Sequence, residues 1–396
     1  MNAPAPMIPP PRLLDISLFQ ERREHDYFDE IRALDTPYLH PEENGPGFYA
    51  LTRYDQVWEA ARNPRLFLSG SGTQIADKRA EGKGAPSVHN ADAQLHRHLR
   101  DFGRRAMAQP LLELRRERVR EIVQDIIARA PRGETFDFVE HVALTIPMTV
   151  FGEVLGIPEA DRGYLVERAN TMSSVLATAE EQASARGHLF EYFRELAADR
   201  RSQSRDDAAS VLVAPNKKGI ELSEEELDAY FLLLVIAGND TTRFLLAWVL
   251  EQLLHQPDAM IALRGDPRQL KTGTEEMVRW VTPVIHMRRT LAEDAEIFGI
   301  EAKAGSKFVL YFSAANRDPA AFENPQEFRL DRWPNTHVGF GAGQHICLGA
   351  YLARMETQIF FEEYFRQVGH CELVGEAERI PSFWFAGLDK LPVRWS

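Results

Sequence analysis

The sequence predicts a mainly α-helical fold with a smaller β-rich portion, an α+β class. Apolar residues recur at helical spacing over much of the first two-thirds of the chain, for example at 111–130 and 187–201. A further long helical pattern begins after Ser223. From Arg289 to Phe312 the pattern changes to short apolar runs of strand length. Together these patterns predict helices packed around one long central helix, with short sheets toward the C-terminus.

The composition limits the partners that the chain can have. It carries 46 Lys and Arg against 59 Asp and Glu, a net charge of −13, which disfavours nucleic acid and anionic membranes. The proline-rich N-terminus lacks the apolar core of a signal peptide and predicts a disordered tail over residues 1–15. The longest apolar run, Phe231–Ala237, is far shorter than the ~20 residues that cross a bilayer. We expect one cytoplasmic domain, residues 1–396, without a membrane partner.

Loops and strands complete the predicted organisation. Polar composition predicts long loops at 70–90 and 202–222. Two strands, Glu296–Ile300 and Lys307–Tyr311, are predicted to pair with each other across the glycine turn between them. The segment Ile380–Trp395 predicts short strands and turns.

The central helix has a clear start and an unusual middle. Ser223 and Glu226 form a capping-box pattern, and the helical pattern continues to about Gln256, which makes the helix about 50 Å long at ~1.5 Å per residue. Its middle is apolar on nearly all sides, so it should be buried. A carboxylate at Asp240 is costly there unless it is paired. The Thr241 hydroxyl can reach the carbonyl one turn back and distort the helix.

The segment Phe340–Gly349 sets one cysteine, Cys347, among glycines that can adopt positive φ. A helix begins at Ala350, so unpaired N–H groups at its start should favour a thiolate. The other cysteine, Cys371, matches no motif. Since a four-ligand zinc or iron–sulfur site needs more cysteines, the loop predicts one thiolate bond to one metal.

This loop closely resembles the cysteine-ligand loop of the cytochrome P450 family of haem-thiolate monooxygenases. The family pattern Phe-Gly-x-Gly-x-His-x-Cys-x-Gly is matched at every fixed position. The resemblance covers roughly residues 48–395. It implies the family's fold, with one long helix crossing the haem, and haem b as cofactor. It also implies Cys347 as the axial iron ligand, with Phe340 and Gly349 around it.

The family also carries Ala/Gly-Gly-x-Asp/Glu-Thr in its longest helix, and the central helix here matches that pattern. By that resemblance, Gly238 opens a groove for dioxygen, and Asp240 and Thr241 bring protons to it. Residues on neighbouring turns are then candidates to face substrate: Leu233, Ile236 and Ala237. The alternative is a helix irregularity tolerated by packing, with a solvated Asp240.

Four side chains match family positions that bind the two haem propionates. They are His96, Arg100, Arg289 and His345. For each histidine, a surface or capping role is the alternative.

A further group of residues matches a structural network of the family. The spacing of Glu276 and Arg279 places them on one helical face. The same spacing at Glu113 and Arg116 favours a solvated ion pair, so spacing alone is weak support. The order of motifs downstream resembles the family throughout and implies a network of Glu276, Arg279 and Arg332.

These observations imply a monooxygenase that inserts one oxygen atom from O₂ into a C–H bond of a small hydrophobic substrate. Ile285, Trp384 and Phe385 suggest an apolar, partly aromatic pocket that suits a terpenoid, an aromatic compound or a fatty acyl chain, although the two aromatic residues could equally be core packing. The alternatives are a hydrogen-peroxide-driven peroxygenase, a haem sensor and an electron-transfer cytochrome. The Asp240–Thr241 pair disfavours the first two, and the lack of a distal His or Met disfavours the third.

Electrons are expected from a separate ferredoxin or flavodoxin with its reductase, because the sequence shows no reductase motif. Such donors are acidic, so a local basic patch is expected near Cys347. Its candidates are Arg100, Arg104 and Arg105.

Overall fold

The computed structural model describes residues 12–43, 45–76, 86–173 and 177–396. Helices dominate these residues and the sheets are short, which confirms the predicted fold class. The α-helices of the described residues are α1 (Ile16–Gln20), α2 (Glu24–Arg32), α3 (Tyr54–Arg62), α4 (Ala93–Ala106), α5 (Gln109–Glu113), α6 (Arg116–Arg129), α7 (Thr145–Leu155), α8 (Glu159–Ser173), α9 (Ala179–Ser202), α10 (Ala208–Val213), α11 (Glu224–Leu254), α12 (Pro257–Gly265), α13 (Leu270–Val281), α14 (Phe312–Ala315) and α15 (Ala350–Gln367).

The strands form one larger sheet and three small ones within the described residues. The larger sheet has the order β1-β2-β8-β5-β3, and the small sheets have the orders β4-β12-β9, β10-β11 and β6-β7. The strands are β1 (Tyr38–His40), β2 (Phe48–Leu51), β3 (Phe67–Leu68), β4 (Thr135–Asp137), β5 (His286–Leu291), β6 (Ala295–Ile297), β7 (Ile300–Ala302), β8 (Lys307–Tyr311), β9 (Cys371–Leu373), β10 (Glu378–Arg379), β11 (Leu388–Lys390) and β12 (Pro392–Trp395).

The predicted pairing of the two strands around residue 300 is wrong. The backbone turns back at Phe298 and Gly299, whose φ angles are 54° and 78°, so β6 pairs with β7 in a tight hairpin. β8 pairs instead with β5 in antiparallel register and with β2 in parallel register. The hairpin turn lies earlier than predicted because two consecutive left-handed residues are what a two-residue hairpin loop requires.

Two other predictions, one of a loop and one of a helix, need correction. The predicted loop at 202–222 contains α10, whose start is capped by Asp207 accepting from the Ser210 N–H. Arg200 donates to the same carboxylate over 2.7 Å, so the helix is tied to α9. The predicted helix at 111–130 is two helices, α5 and α6.

The predicted disordered tail ends earlier than expected. Leu13 is fully buried, and Asp15 caps α1 by accepting from the Ser17 N–H. The rest of that prediction, residues 1–11, lies outside the described residues, as do residues 77–85 of the predicted loop at 70–90.

The central helix forms as predicted. In the capping box of α11, the Ser223 hydroxyl accepts from the Glu226 N–H and the Glu226 carboxylate accepts from the Ser223 N–H. α11 is long and apolar enough to cross a membrane, but core helices of water-soluble proteins meet the same criteria. In the protein, 56% of the most apolar 18-residue window of α11 is buried.

A tyrosine fixes α11 against α4. The Tyr230 hydroxyl donates to the Leu99 carbonyl over 2.8 Å. A Cβ on Gly103 would lie 2.2 Å from that hydroxyl oxygen and 2.7 Å from Leu348 Cδ1. The absence of a side chain at Gly103 therefore lets α4, α11 and the cysteine loop meet at one point.

Candidate active site

The loop before α15 holds Cys347 in a turn that closes on itself. The Cys347 N–H donates to the Phe340 carbonyl over 2.8 Å. Gly341 and Gly343 have φ angles of 72° and 69°, in the left-handed region that glycine adopts at little cost. A Cβ on Gly343 would lie 2.4 Å from the Ala61 carbonyl oxygen, so this glycine also lets α3 pack against the loop.

The Cys347 thiol has accessible surface although protein surrounds it. The side chain is exposed, yet burial raises the pKa of its thiol, a combination typical of a group that lines a cavity. The backbone N–H groups of Gly349 and Ala350 and the guanidinium groups of Arg100 and Arg354 act in the opposite direction. Burial thus outweighs the helix N-terminus, contrary to the expectation from sequence. A thiol of this kind is deprotonated when it coordinates a metal.

Two histidines predicted to bind propionates lie against each other. The ring centroids of His96 and His345 are 4.2 Å apart. His96 is 2% exposed, and neither of its ring nitrogens has a hydrogen-bond partner within the described residues. Burial lowers the pKa of His96 to about 4 and that of His345 to about 2. Both rings are therefore neutral at pH 7, and each has one N–H to donate.

Two arginines complete this donor cluster, which we define as His96, Arg100, Arg289 and His345. Arg289 is 5% exposed. Burial lowers the pKa of its guanidinium to about 10, so it stays charged at pH 7. Arg100 donates to the Ile346 carbonyl in the cysteine loop. The charges of both arginines act on His345, which indicates that α4, β5 and the loop bring the cluster together.

The donor cluster fits the two propionates of a haem. A buried imidazole without a hydrogen-bond partner costs ~1–3 kcal/mol, and a buried guanidinium favours an anionic acceptor. A carboxylate placed among these donors satisfies both. The cluster lies beside Cys347, so one haem can contact the thiol and the donors together.

α11 is buried along most of its length but presents an accessible stripe at its middle. Ile236 is 38% exposed, Ala237 is also exposed, and Leu233, Asp240 and Thr241 are partly exposed. These five residues, which we call the α11 stripe, follow helical spacing and share one face. The structure thus gathers the substrate candidates and the acid–alcohol pair on the same side of the helix.

The acid–alcohol pair has specific partners. The Thr241 hydroxyl donates to the Ala237 carbonyl over 3.0 Å, as its spacing predicts. Asp240 Oδ1 lies 3.1 Å from Arg243 Nη2 and accepts from the Asn239 side-chain amide over 3.3 Å. Burial raises the pKa of Asp240, and the Arg243 charge opposes that rise. The carboxylate is therefore paired rather than simply solvated.

Gly238 and Thr242, which flank the Asp240–Thr241 pair in the sequence, lie in different surroundings. A Cβ on Gly238 would stand 3.5 Å from Phe151 Cδ2, an ordinary contact, so packing against α7 does not by itself require a glycine. Thr242 is buried, unlike Thr241. This difference gives the two threonines separate environments on one helix.

The three residues of the expected structural network are in direct contact. Arg279 donates to both carboxylate oxygens of Glu276 over 2.7 and 2.8 Å. Arg332 Nε lies 3.1 Å from Glu276 Oε2. Arg279 also donates to the carbonyls of Asn316 and Pro325 over 2.7 and 2.9 Å. Helix α13 is thus tied to the segment that leads into the cysteine loop.

The remaining pocket candidates lie together at one turn. The Ile285 N–H donates to the Trp384 carbonyl over 2.9 Å, and the Trp384 indole N–H donates to the His286 carbonyl over 3.2 Å. Ile285 is buried, whereas Trp384 and Phe385 are partly buried. The Phe385 ring lies 5.9 Å from Phe244 on α11, so this turn packs against the central helix.

Sequence reasoning missed two contributors to the site. Asp92 accepts from the backbone N–H groups of Ser69 and Gly70 over 2.8 and 2.6 Å, which places the Ser69 hydroxyl 3.2 Å from His345 Nε2. No sequence signal links such distant residues. Arg243 was also missed, although its spacing from Asp240 is visible in the sequence.

This fold and this site define a haem-thiolate protein, and comparison with known proteins agrees. The family model for Cytochrome P450 matches residues 171–368. The methyl-branched lipid omega-hydroxylase of Mycobacterium tuberculosis is 36% identical over 365 residues, which cover 89% of this chain and 85% of the relative. The linalool 8-monooxygenase of Pseudomonas putida is 31% identical, over 97% of this chain and 98% of the relative.

A solved structure is also similar throughout. Cytochrome P450 CYP268A2 of Mycobacterium marinum, in complex with pseudoionone, superposes with a TM-score of 0.89 at 31% identity, covering 98% of this chain and 100% of that chain. The chain belongs to the cytochrome P450 family. It is a cytochrome P450 monooxygenase, and its cofactor is haem b.

Proposed function

We propose that this enzyme hydroxylates a C–H bond of a small hydrophobic substrate on the α11 stripe, using O₂ and electrons from a separate redox protein. The α11 stripe carries the proposal, because one accessible face of a buried helix holds both the apolar substrate candidates and the acid–alcohol pair. An acidic chain without a predicted membrane partner favours a cytoplasmic enzyme.

The residues around the cysteine loop would hold the haem. Cys347 would bind the haem iron through its thiolate, with Phe340 and Gly349 shaping its loop. The donor cluster would bind the propionates. Bound haem supplies dioxygen activation, which thiolate ligation favours.

The protein's own contribution on the stripe is proton supply and exclusion of water. Asp240 would donate a proton toward Thr241 and recover one from solvent. Thr241 would pass the proton on through its hydroxyl, and Gly238 would leave room for dioxygen. Positioned acids and alcohols of this kind contribute ~10²–10⁴-fold to rate.

The proposed substrate class is supported by the side chains expected to line the pocket. Leu233, Ile236 and Ala237 on α11 and the turn with Trp384 and Phe385 offer apolar and aromatic surface. This suits a terpenoid, an aromatic compound or a fatty acyl chain. The names of the relatives, which act on linalool and on methyl-branched lipids, favour a branched aliphatic chain. A panel of such compounds, scored by the low-to-high-spin shift of the Soret band, should give larger shifts for branched aliphatic than for flat aromatic members.

Two adjacent threonines allow a matched test of the function. Thr241→Ala should lower product per O₂ consumed by roughly tenfold and raise hydrogen peroxide in proportion, because proton supply is lost. Thr242→Ala removes a buried hydroxyl from the same helix and should change that ratio little. Equal effects of the two variants would contradict the role of Thr241.

The spectrum of the reduced carbon monoxide complex separates the proposal from a histidine-ligated haem protein. The folded enzyme should show the thiolate-type band, and Cys347→His should lose it. A peroxygenase would instead form product with hydrogen peroxide as efficiently as with O₂ and electrons.

The redox partner is proposed to be a ferredoxin or flavodoxin with its reductase. Of the three predicted arginines, Arg104 is exposed, whereas Arg100 bonds the cysteine loop and Arg105 lies over the Phe102 ring at 4.6 Å. Arg104→Glu should slow the first electron transfer and weaken its salt dependence. Arg129→Glu, an exposed arginine on α6, serves as control. Unchanged reduction kinetics in Arg104→Glu would exclude that residue from the docking face.

A further inference from the structure

Arg243 lies one helical turn after Asp240 on α11, and the two side chains face each other. Arg243 Nη2 lies 3.1 Å from Asp240 Oδ1, and the two side chains are 24% and 15% exposed. The sequence motif that led to Asp240 and Thr241 does not include Arg243.

The arginine also contacts an aromatic ring. Its guanidinium carbon lies 4.6 Å from the centroid of the Phe244 ring, a cation–π distance. Phe244 is buried and occupies the space that a Cβ on Gly387 would fill, since that atom would lie 2.1 Å from Phe244 Cδ1. Phe244 therefore cannot shift without moving the turn at Gly387. Its ring thus restricts the position of the Arg243 guanidinium.

Two opposing influences act on Asp240. Partial burial favours the neutral carboxyl, and the Arg243 charge favours the carboxylate. An acid that must release a proton inward and regain one from solvent has to change its charge repeatedly. Without Arg243, the Asp240 carboxyl would stay protonated over more of the pH range and would keep the Asn239 amide but lose its charged partner.

We propose that Arg243 is a positioning residue for Asp240: it orients the carboxyl group and favours its ionised form between proton transfers, while Phe244 holds the guanidinium in place. The proposal rests on the proposed proton-supply role of Asp240. The Phe244 ring lies 5.9 Å from the ring of Phe385, which is itself a candidate to face substrate. Phe244 thus links Arg243 to the turn proposed to line the substrate pocket.

The test compares four variants of the haem-loaded enzyme with wild type. Arg243→Gln removes the charge at similar size, and Arg243→Lys keeps it. Phe244→Leu removes the aromatic ring that contacts Arg243. Arg129→Gln is the control, because it removes an exposed arginine paired with Asp125 on α6. The first readout is the infrared carboxyl band of Asp240, assigned by its loss in Asp240→Asn. The second is the ratio of product to hydrogen peroxide.

In Arg243→Gln the protonated carboxyl band of Asp240 should persist to higher pH than in wild type, because the Arg243 charge that lowers the Asp240 pKa is gone. The product-to-peroxide ratio should fall by roughly tenfold, part of what general acid–base groups supply. Arg243→Lys should restore both readouts to within about twofold of wild type, because the charge returns. Phe244→Leu should fall between them, and Arg129→Gln should match wild type.

An unchanged carboxyl band in Arg243→Gln would overturn the proposal, as would a folded Arg243→Lys that behaves like Arg243→Gln. If Arg243→Gln fails to fold, the carboxyl band and the product-to-peroxide ratio of Arg243→Lys and Phe244→Leu decide whether the proposal holds. If Asp240→Asn itself leaves the product-to-peroxide ratio unchanged, the proton-supply role fails. The infrared result then still decides whether Arg243 sets the charge of Asp240.

Discussion

Helices α13 and α11 each carry an acid followed three residues later by an arginine, and the two pairs lie in very different surroundings. Glu276 and Arg279 on α13 both have side chains that are 0% exposed. The acid there also accepts from the Arg329 backbone N–H over 2.8 Å and from the Asn335 side-chain amide over 3.0 Å. On α11, Asp240 has fewer partners and is part of the accessible α11 stripe.

The comparison shows that a three-residue spacing is enough to form an acid–arginine ion pair, whereas burial and neighbouring donors decide whether the pair serves structure or chemistry. Every strong donor around Glu276 is engaged, so its charge is compensated in one fixed arrangement and stabilises the approach to the cysteine loop. Asp240 has two partners, Arg243 and the Asn239 amide, and its side chain is 15% exposed on the α11 stripe, so its proton can exchange. Pairs of one spacing can therefore serve structure in one helix and chemistry in another.

The largest expected effect is on stability, at α13. Glu276→Gln leaves Arg279 and Arg332 buried without their carboxylate, and breaking such a buried network costs ~3–5 kcal/mol. Urea unfolding of the haem-loaded enzyme should show that loss in the free energy of unfolding. Asp240→Asn is the matched variant on α11 and should lose less than ~1 kcal/mol, since its pair is partly exposed. Similar losses in both variants would remove the distinction between the two pairs.

Part of this contrast could be read from the sequence. The motifs that follow Glu276 resemble the family in order, so the network residues could be named from that resemblance, and the cysteine loop could be named from its own residues. The capping box of α11 is local, and it forms as predicted. Local spacing also places Arg243 beside Asp240, although nothing in the sequence marks that pair as more than a solvated one.

The rest depends on contacts between distant segments. β8 pairs with β5 and β2 rather than with its neighbour in sequence, because strand pairing is decided by the whole sheet. The helix α10 was missed because its apolar residues sit within a polar stretch, and Arg200 of α9 ties it in place. The pKa of Cys347 likewise follows from burial by the assembled protein, which its own loop does not reveal.

A smaller effect should appear in the pH dependence of stability, with opposite signs for the two acids. Burial raises the pKa of Asp240 above the ~3.9 of an unfolded aspartate, so between those two values the folded state binds more protons. The free energy of unfolding of wild type, relative to Asp240→Asn, should therefore fall as pH rises through that window. Above the window the difference should be constant.

Glu276 should show the reverse. Burial alone would raise the pKa of Glu276, but the hydrogen bonds and charge of Arg279, the Arg329 N–H and the Arg332 charge together lower it. Its contribution is therefore complete above the unfolded value of ~4.3 and is lost as pH falls through the folded value. Urea unfolding of wild type and both variants between about pH 3 and pH 7 measures both signs. Parallel curves for the two acids would contradict the assignment.

The smallest effect is expected at a third pair, which calibrates the other two. Asp125 and Arg129 on α6 are four residues apart with 2.8 Å between Oδ2 and Nη2, and their side chains are 68% and 78% exposed. Water screens such a pair, so a double-mutant cycle with Asp125→Asn and Arg129→Gln should give a coupling of no more than ~0.5 kcal/mol. The same cycle with Asp240→Asn and Arg243→Gln should give a larger coupling, because partial burial weakens screening. If the two couplings are equal, the environment of α11 adds nothing to its ion pair, and the contrast with α13 would reduce to burial of the network alone.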